Sequence, residues 1–102
     1  MASKMEKRLA PIHPGEVLLD LLGEAGLTTN ALALALRVPA NRMGAIIKGQ
    51  RGITADTALR LARYFGTSAQ MWVNLQAKYE LAVAEDSLGD QIAREVLPRT
   101  AA

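Results

Sequence analysis

Apolar positions along this chain recur at helical spacing in five stretches, each bounded by residues that start or stop helices. In the first, Val17, Leu18, Leu21, Leu22 and Ala25 follow one another at that spacing. Pro14 suits the first helical position, where its missing N–H leaves no bond unmade, and Glu16 suits the positive end of the helix dipole. Gly26 ends this helix by accepting a left-handed conformation. Thr28 is a good N-cap for a second helix, with Leu32, Ala35 and Leu36 as its buried face. Arg37 and Val38 form a short turn. Pro39 opens a third helix with Met43, Ile46 and Ile47 as its apolar face, and Gly49 ends it. Thr54 caps a fourth, with Asp56 in its first turn, Leu59, Leu61, Ala62 and Phe65 as apolar positions, and Gly66 as its stop. Ser68 caps a longer fifth helix, predicted to reach about Asp86. The stretch from Asp90 to Leu97 is either a short further helix before Pro98 or disordered. Strand patterns are weak throughout. The expected fold is all-α: a five-helix domain over 12–88, a flexible N-terminal tail over 1–11 and a C-terminal segment over 89–102.

Two features of this pattern bear on function. The unit from Thr28 to Gly49 is a short helix, a turn and a second short helix, the geometry that places a recognition helix in the major groove of DNA. Opposite its apolar face, the third helix presents Asn41, Gly44, Ala45 and Lys48. That outer face has no carboxylate and no bulky side chain at its centre, so it can sit close to a groove floor. The fifth helix carries two apolar stripes at 100° per residue. Trp72, Leu75, Tyr79, Ala82 and Val83 form one, which packs on the domain's own helices. Val73, Ala77, Leu81, Ala84 and Leu88 form the other, nearly opposite, for which so small a chain has no partner left. An uncovered apolar stripe marks an interface, unless the last segment, through Ile92 and Val96, folds back over it.

Charge sharpens the first feature. The chain of 102 residues has a net charge of only +2. Yet residues 27–53 hold four bases (Arg37, Arg42, Lys48 and Arg51) and no acid, whereas the flanking stretches mix both signs. A segment cleared of carboxylates approaches a polyanion without repulsion. Cysteine is absent, which excludes disulfides and thiolate metal sites. His13, the only histidine, has no metal-ligand cluster around it and reads as a residue that opens the first helix. Neither metal nor cofactor is expected. No phosphate-loop motif and no cluster of acid–base residues points to an enzyme. There is no 18-residue apolar run for a membrane span, and MASKMEKRLA lacks the apolar core of a signal peptide. Met5 offers a second start. The expected location is the cytoplasm.

The stretch from Leu27 to Arg51 resembles the lambda-repressor-like, or XRE-type, helix-turn-helix. Three further segments, HPGEVL (13–18), RGITADTALRLARYFGTS (51–68) and WVNLQAKYEL (72–81), are similar to the HigA antitoxin family, and the likeness covers about residues 12–85. It implies five helices, a homodimer on double-stranded operator DNA, and a partner toxin of the RelE/HigB type, a small basic ribonuclease that cuts messenger RNA. Such antitoxins bind the toxin and repress the operon that encodes both. The resemblance also implies roles for individual residues. Thr28 and Thr29 stand where the second helix touches a phosphate, reinforced by backbone amides. Ala40, Asn41 and Ala45 stand where base edges are reached: Asn41 suits a bidentate pair with adenine, and the two alanines suit a thymine methyl. Arg42, on the flank, suits a guanine or a phosphate, and Lys48 and Arg51 suit phosphates. Three residues depart from the pattern. Arg37 replaces the usual turn glycine, Leu34 replaces a polar residue, and Gly44 lies inside the recognition helix.

The reading from sequence is therefore an antitoxin and autorepressor. A stand-alone helix-turn-helix repressor without a toxin is one alternative. A toxin-binding protein with little DNA affinity is another, because polar side chains on the reading face are few.

Overall fold

The chain enters its first helix through a reciprocal pair of hydrogen bonds. His13 Nδ1 accepts from the Gly15 amide at 2.8 Å, and Glu16 Oε2 accepts from the His13 amide at 3.1 Å. This capping box satisfies two of the amides that a helix start leaves without partners. The computed structural model describes residues 10–100. They form five helices: α1 (Pro14–Ala25), α2 (Thr29–Leu36), α3 (Ala40–Ile47), α4 (Ala55–Phe65) and α5 (Ala69–Glu95). No strand occurs among the described residues. Of the expected N-terminal tail, all but Ala10 and Pro11 lies outside them.

The capping residues sit where the sequence places them. Thr28, Thr54 and Ser68 each accept from the amide three residues on, and Gly26 and Gly66 end α1 and α4 with φ of 67° and 74°. His13 is the cap of α1 and is buried, in keeping with its reading as a residue that opens the helix. Its ring also meets Tyr79 of α5 edge-on, with centroids 4.7 Å apart.

One core unites all five helices. Leu18 and Leu22 of α1, Leu32, Ala33 and Leu36 of α2, Met43 and Ile46 of α3, Ala58 and Leu61 of α4 and Trp72 of α5 are buried together with Ile53. Each large apolar side chain so buried contributes about 1.5–3 kcal/mol. In α2 and α4 two expected core positions differ. Ala33, not Ala35, joins Leu32 and Leu36 beneath α2, and Thr57 with Ala58, not Leu59, faces inward from α4. In both helices the buried residue lies two positions, roughly half a turn, from the expected one. Ala35 and Leu59 instead line an open surface groove with Arg63 and Tyr64.

The larger difference is α5. It does not end near Asp86 but runs unbroken through Gly89 to Glu95, so the expected C-terminal helical stretch is its continuation. Trp72 and Gln76 are its buried residues, both in its first half. Ala82 still lines a pocket with Pro11, Ile12 and Val17, but beyond it the helix extends away from the core, and Val83, expected to pack inward, is exposed. The radius of gyration, 17.1 Å, reflects this arm; a compact domain of this length has about 13 Å.

Close packing at two glycines sets where α3 lies. A methyl on Gly15 would collide with the Ile46 carbonyl, so only glycine lets the start of α1 rest on the end of α3. A methyl on Gly52 would stand 2.7 Å from the Gln76 side chain. Gln76 Oε1 accepts from the Ile53 amide at 2.8 Å, which pins the loop after α3 to α5. Gly44 differs, since a methyl there meets nothing within 4 Å. Gly15→Ala is therefore expected to lower stability by about 1–3 kcal/mol in urea unfolding, while Gly44→Ala raises it by up to about 1 kcal/mol. Equal effects at the two sites would contradict this packing.

Candidate nucleic-acid interface

α2 and α3 form the helix-turn-helix. Arg37 ends α2 in the left-handed region, at φ 61°, and its amide and that of Val38 return to Leu34 and Ala33. A side chain there costs about 1 kcal/mol of strain that glycine avoids. The turn nevertheless closes, and Pro39 leads into α3 with extended backbone. Met43 and Ile46 anchor α3 in the core. The opposite face is open: Ala40, Asn41 and Lys48 are exposed, and Gly44 and Ala45 are half-buried in the helix surface. Nothing bulky stands between Asn41 and Lys48, so the helix is narrow on the side that the sequence assigned to a groove.

The flanking residues complete this surface. Thr28 is exposed at the start of α2. Its Oγ1 accepts from the Ala31 amide at 3.0 Å, which leaves the hydroxyl hydrogen free to donate to a phosphate oxygen. Thr29 follows as the first residue of α2 and is half-buried. Arg51 is exposed in the loop that Gln76 pins. Leu34 lies fully in solvent on α2, 75% exposed, so its departure from the usual polar residue costs the core nothing.

Arg42 is placed differently from its neighbours. Its Nη1 lies 3.5 Å from Asp56 Oδ1 on α4, and its Nε is buried with no partner. Asp56 also accepts from Arg60 Nε at 2.6 Å, and Arg60 Nη1 donates to the Leu36 carbonyl at 2.8 Å. The Arg60 hydrogen bond, helped by the charges of Arg60 and Arg42, holds the Asp56 carboxyl below its ordinary range. Its contribution is therefore present above the ordinary carboxylate pKa and is lost as pH falls through the lowered value. The Asp56–Arg60 pair is legible in sequence as an i,i+4 spacing. The approach of Arg42 is not, because it depends on how α3 packs on α4. Gln76 was legible only as a polar residue inside the apolar stripe of Trp72, Leu75 and Tyr79.

The second stripe of α5 is uncovered. Val73, Leu81 and Leu88 are exposed large apolar residues, Ala77 is exposed, and Ala84 is half-buried. Ile92 continues this stripe and is itself exposed; the segment through Ile92 and Val96 extends the helix and does not fold back. Among the described residues no group of three or more His, Cys, Asp or Glu side chains is placed to hold a metal ion. No single helix among them is long and apolar enough to cross a membrane.

No protein-family model matches the chain. Individual proteins do. It is 52% identical over 81 residues to "Virulence-associated protein I" of Dichelobacter nodosus, covering 78% of this chain and 75% of that protein. Its structure is similar to that of an addiction module antidote protein of a HigA family from Coxiella burnetii, with a TM-score of 0.87, 48% identity and coverage of 89% of this chain and 100% of that one. It is equally similar to Pseudomonas aeruginosa antitoxin HigA, solved with the higBA promoter, with a TM-score of 0.86, 52% identity and coverage of 88% and 99%.

Residues 27–53 hold four cations and no acid, although Asp56 of α4 reaches Arg42, and a chain that binds a polyanion through such cations does so mainly by releasing counterions. Two copies on one duplex, each neutralising about four phosphates, give a slope of log affinity against log salt near −7. Mobility-shift titrations across salt concentrations measure it. A slope shallower than about −3 would contradict a phosphate-dominated interface.

Proposed function

The chain belongs to the HigA family of antitoxins, and from that membership we propose how it works. It is the antitoxin of a two-protein pair. It binds the operator of its own operon as a homodimer, and it neutralises a toxin of the RelE/HigB kind that cleaves messenger RNA. The observation that carries the DNA half of this reading is the open, carboxylate-free face of α3, in a chain that matches almost the whole of a relative solved with its promoter. The reading is of a binding protein, as its relatives are, and not of an enzyme. Asn41, with Ala40 and Ala45, reaches base edges. Thr28, Thr29, Lys48 and Arg51 hold phosphates on either side. Both partners lie in the cytoplasm, which is where this function operates.

The toxin half is tested by co-expression with the short basic protein encoded beside this gene. Arrest of growth by that protein alone, relieved by this chain, and co-purification of the two are the expected results. If neither relief nor a complex is found, the chain is a stand-alone repressor.

The homodimer follows from what one helix-turn-helix lacks. A single recognition helix reads a half-site, and two must be held about 34–36 Å apart to read an operator. The stripe of Val73, Ala77, Leu81, Ala84 and Leu88, lengthened by Ile92, supplies an isologous surface on the arm of α5. Ala77 and Ala84 let two such helices approach closely. A free arm of this length is marginal as a helix in water, so pairing also explains why it is helical to Glu95. Leu81 is mid-stripe and 63% exposed, away from the core. Leu81→Asp sets two carboxylates against each other across the two-fold axis. Sedimentation equilibrium with circular dichroism should find a folded, helical monomer. A folded dimer would contradict this interface.

A further inference from the structure

Arg42 stands in the first turn of α3, where the helix dipole disfavours a cation, and that turn holds no acid to offset it. The offset comes from another helix. Asp56 of α4 lies 3.5 Å from Arg42 Nη1 and accepts from Arg60 Nε through the same oxygen. Arg60 in turn grips the last carbonyl of α2, at Leu36. One carboxylate thus links both helices of the helix-turn-helix through two arginines. Arg42 is held there without being saturated. Its side chain is 25% exposed, and its buried Nε has no partner. A guanidinium carries five donors in a rigid fork, and Asp56 engages only one nitrogen of it. An unrestrained arginine beside DNA settles on phosphates in many rotamers. A clamped one keeps its fork in one orientation, as two parallel hydrogen bonds to a guanine require.

We propose that Asp56 is a positioning residue that determines sequence specificity: by clamping Arg42 at the start of α3, it turns that arginine toward the O6/N7 acceptor pair of a guanine and away from the phosphates. The proposal rests on the reading of α3 as the recognition helix. The clamp is charged at neutral pH, as any aspartate with an ordinary pKa would be, and the Arg60 hydrogen bond holds its carboxyl lower still. Asp56 itself is an anion beside a polyanion and opposes binding to any sequence. Its loss therefore has two effects of opposite sign: discrimination falls, while affinity for random DNA holds or rises. A residue that merely supported the fold would lower both.

The test uses the full chain and a pool of duplexes randomised over about two helical turns, from which the wild type selects its preferred sequence. Affinities are then measured for the selected duplex, for single-base replacements of its guanines and for a scrambled duplex. The proteins are the wild type, Arg42→Ala, Asp56→Asn and the double variant, each checked for helicity. The wild type is expected to prefer one guanine per half-site by about fivefold or more. Arg42→Ala and Asp56→Asn each lose that preference, the double variant loses no more than Arg42→Ala, and Asp56→Asn binds the scrambled duplex at least as tightly as the wild type. Should Asp56→Asn fail to fold, Asp56→Glu, which displaces the clamp by one methylene, is read the same way. A clamp variant that keeps the guanine preference, weakens all sequences equally or adds a loss to Arg42→Ala overturns the proposal alone. A wild type that selects no sequence overturns the reading of α3 itself, and the proposal with it.

Discussion

The Gly15 backbone rests against the Ile46 carbonyl, and the seating of α3 follows from this contact. It sets the first turn of α1 directly on the last turn of α3, closer than any side chain permits. His13 caps that turn, meets Tyr79 of α5 with its ring edge and lies against Gly49, where a methyl would stand 3.8 Å from the ring. The start of α1, the end of α3 and the first half of α5 therefore converge on one short segment, His13-Pro14-Gly15-Glu16. Its four residues contribute, in turn, a cap acceptor, a fixed φ, a close approach and a reciprocal carboxylate. Together they fix the tilt of α3 from its buried end, and the turn at Arg37 fixes it from the other.

A rigidly seated α3 makes sense of its sparse outer face. Gly44 and Ala45 give a groove little to hydrogen-bond, so in the proposed function specificity comes from a few well-placed groups and from the spacing of two subunits. Asn41 is one such group. Arg42, drawn toward Asp56 and Arg60, is another whose orientation is set outside its own helix. The residues proposed to hold phosphates sit on elements that are equally well anchored. Thr28 is fixed by its cap bond, and the Arg51 loop is fixed by Gln76. In the proposed dimer, the uncovered stripe of α5 then sets the distance between two such surfaces.

Much of this was legible in the sequence because helix ends are chemical signals. Thr28, Thr54 and Ser68 announce their helices by side-chain oxygens, and Gly26 and Gly66 end theirs by left-handed backbone. The uncovered stripe of α5 was legible from its spacing, and Arg37, which stands where the resemblance has a turn glycine, takes a positive φ. Contacts between helices were not legible. Ala33 and Ala35 are the same residue, and only the packing of α2 on its neighbours decides which is buried. Leu59 is more apolar than Thr57, yet α4 turns Thr57 inward. α5 continues past the end near Asp86 that the sequence predicts, through Ser87, Gly89 and Asp90. Within the helix the Ser87 hydroxyl bonds back to the Val83 carbonyl at 3.0 Å, and Gln91 reaches Glu95, so local bonds carry the helix past them.

Pairing through α5 must present two α3 helices one turn of DNA apart if the chain works as proposed. The chain has no cysteine, so Ala45→Cys, on the groove face of α3, gives one spin label per subunit. Pulsed electron–electron resonance on the free protein then measures the separation directly. A single distribution centred near 34–36 Å, one helical turn, is what this architecture predicts. Absence of dipolar coupling, or a centre more than about 10 Å from that value, would contradict it.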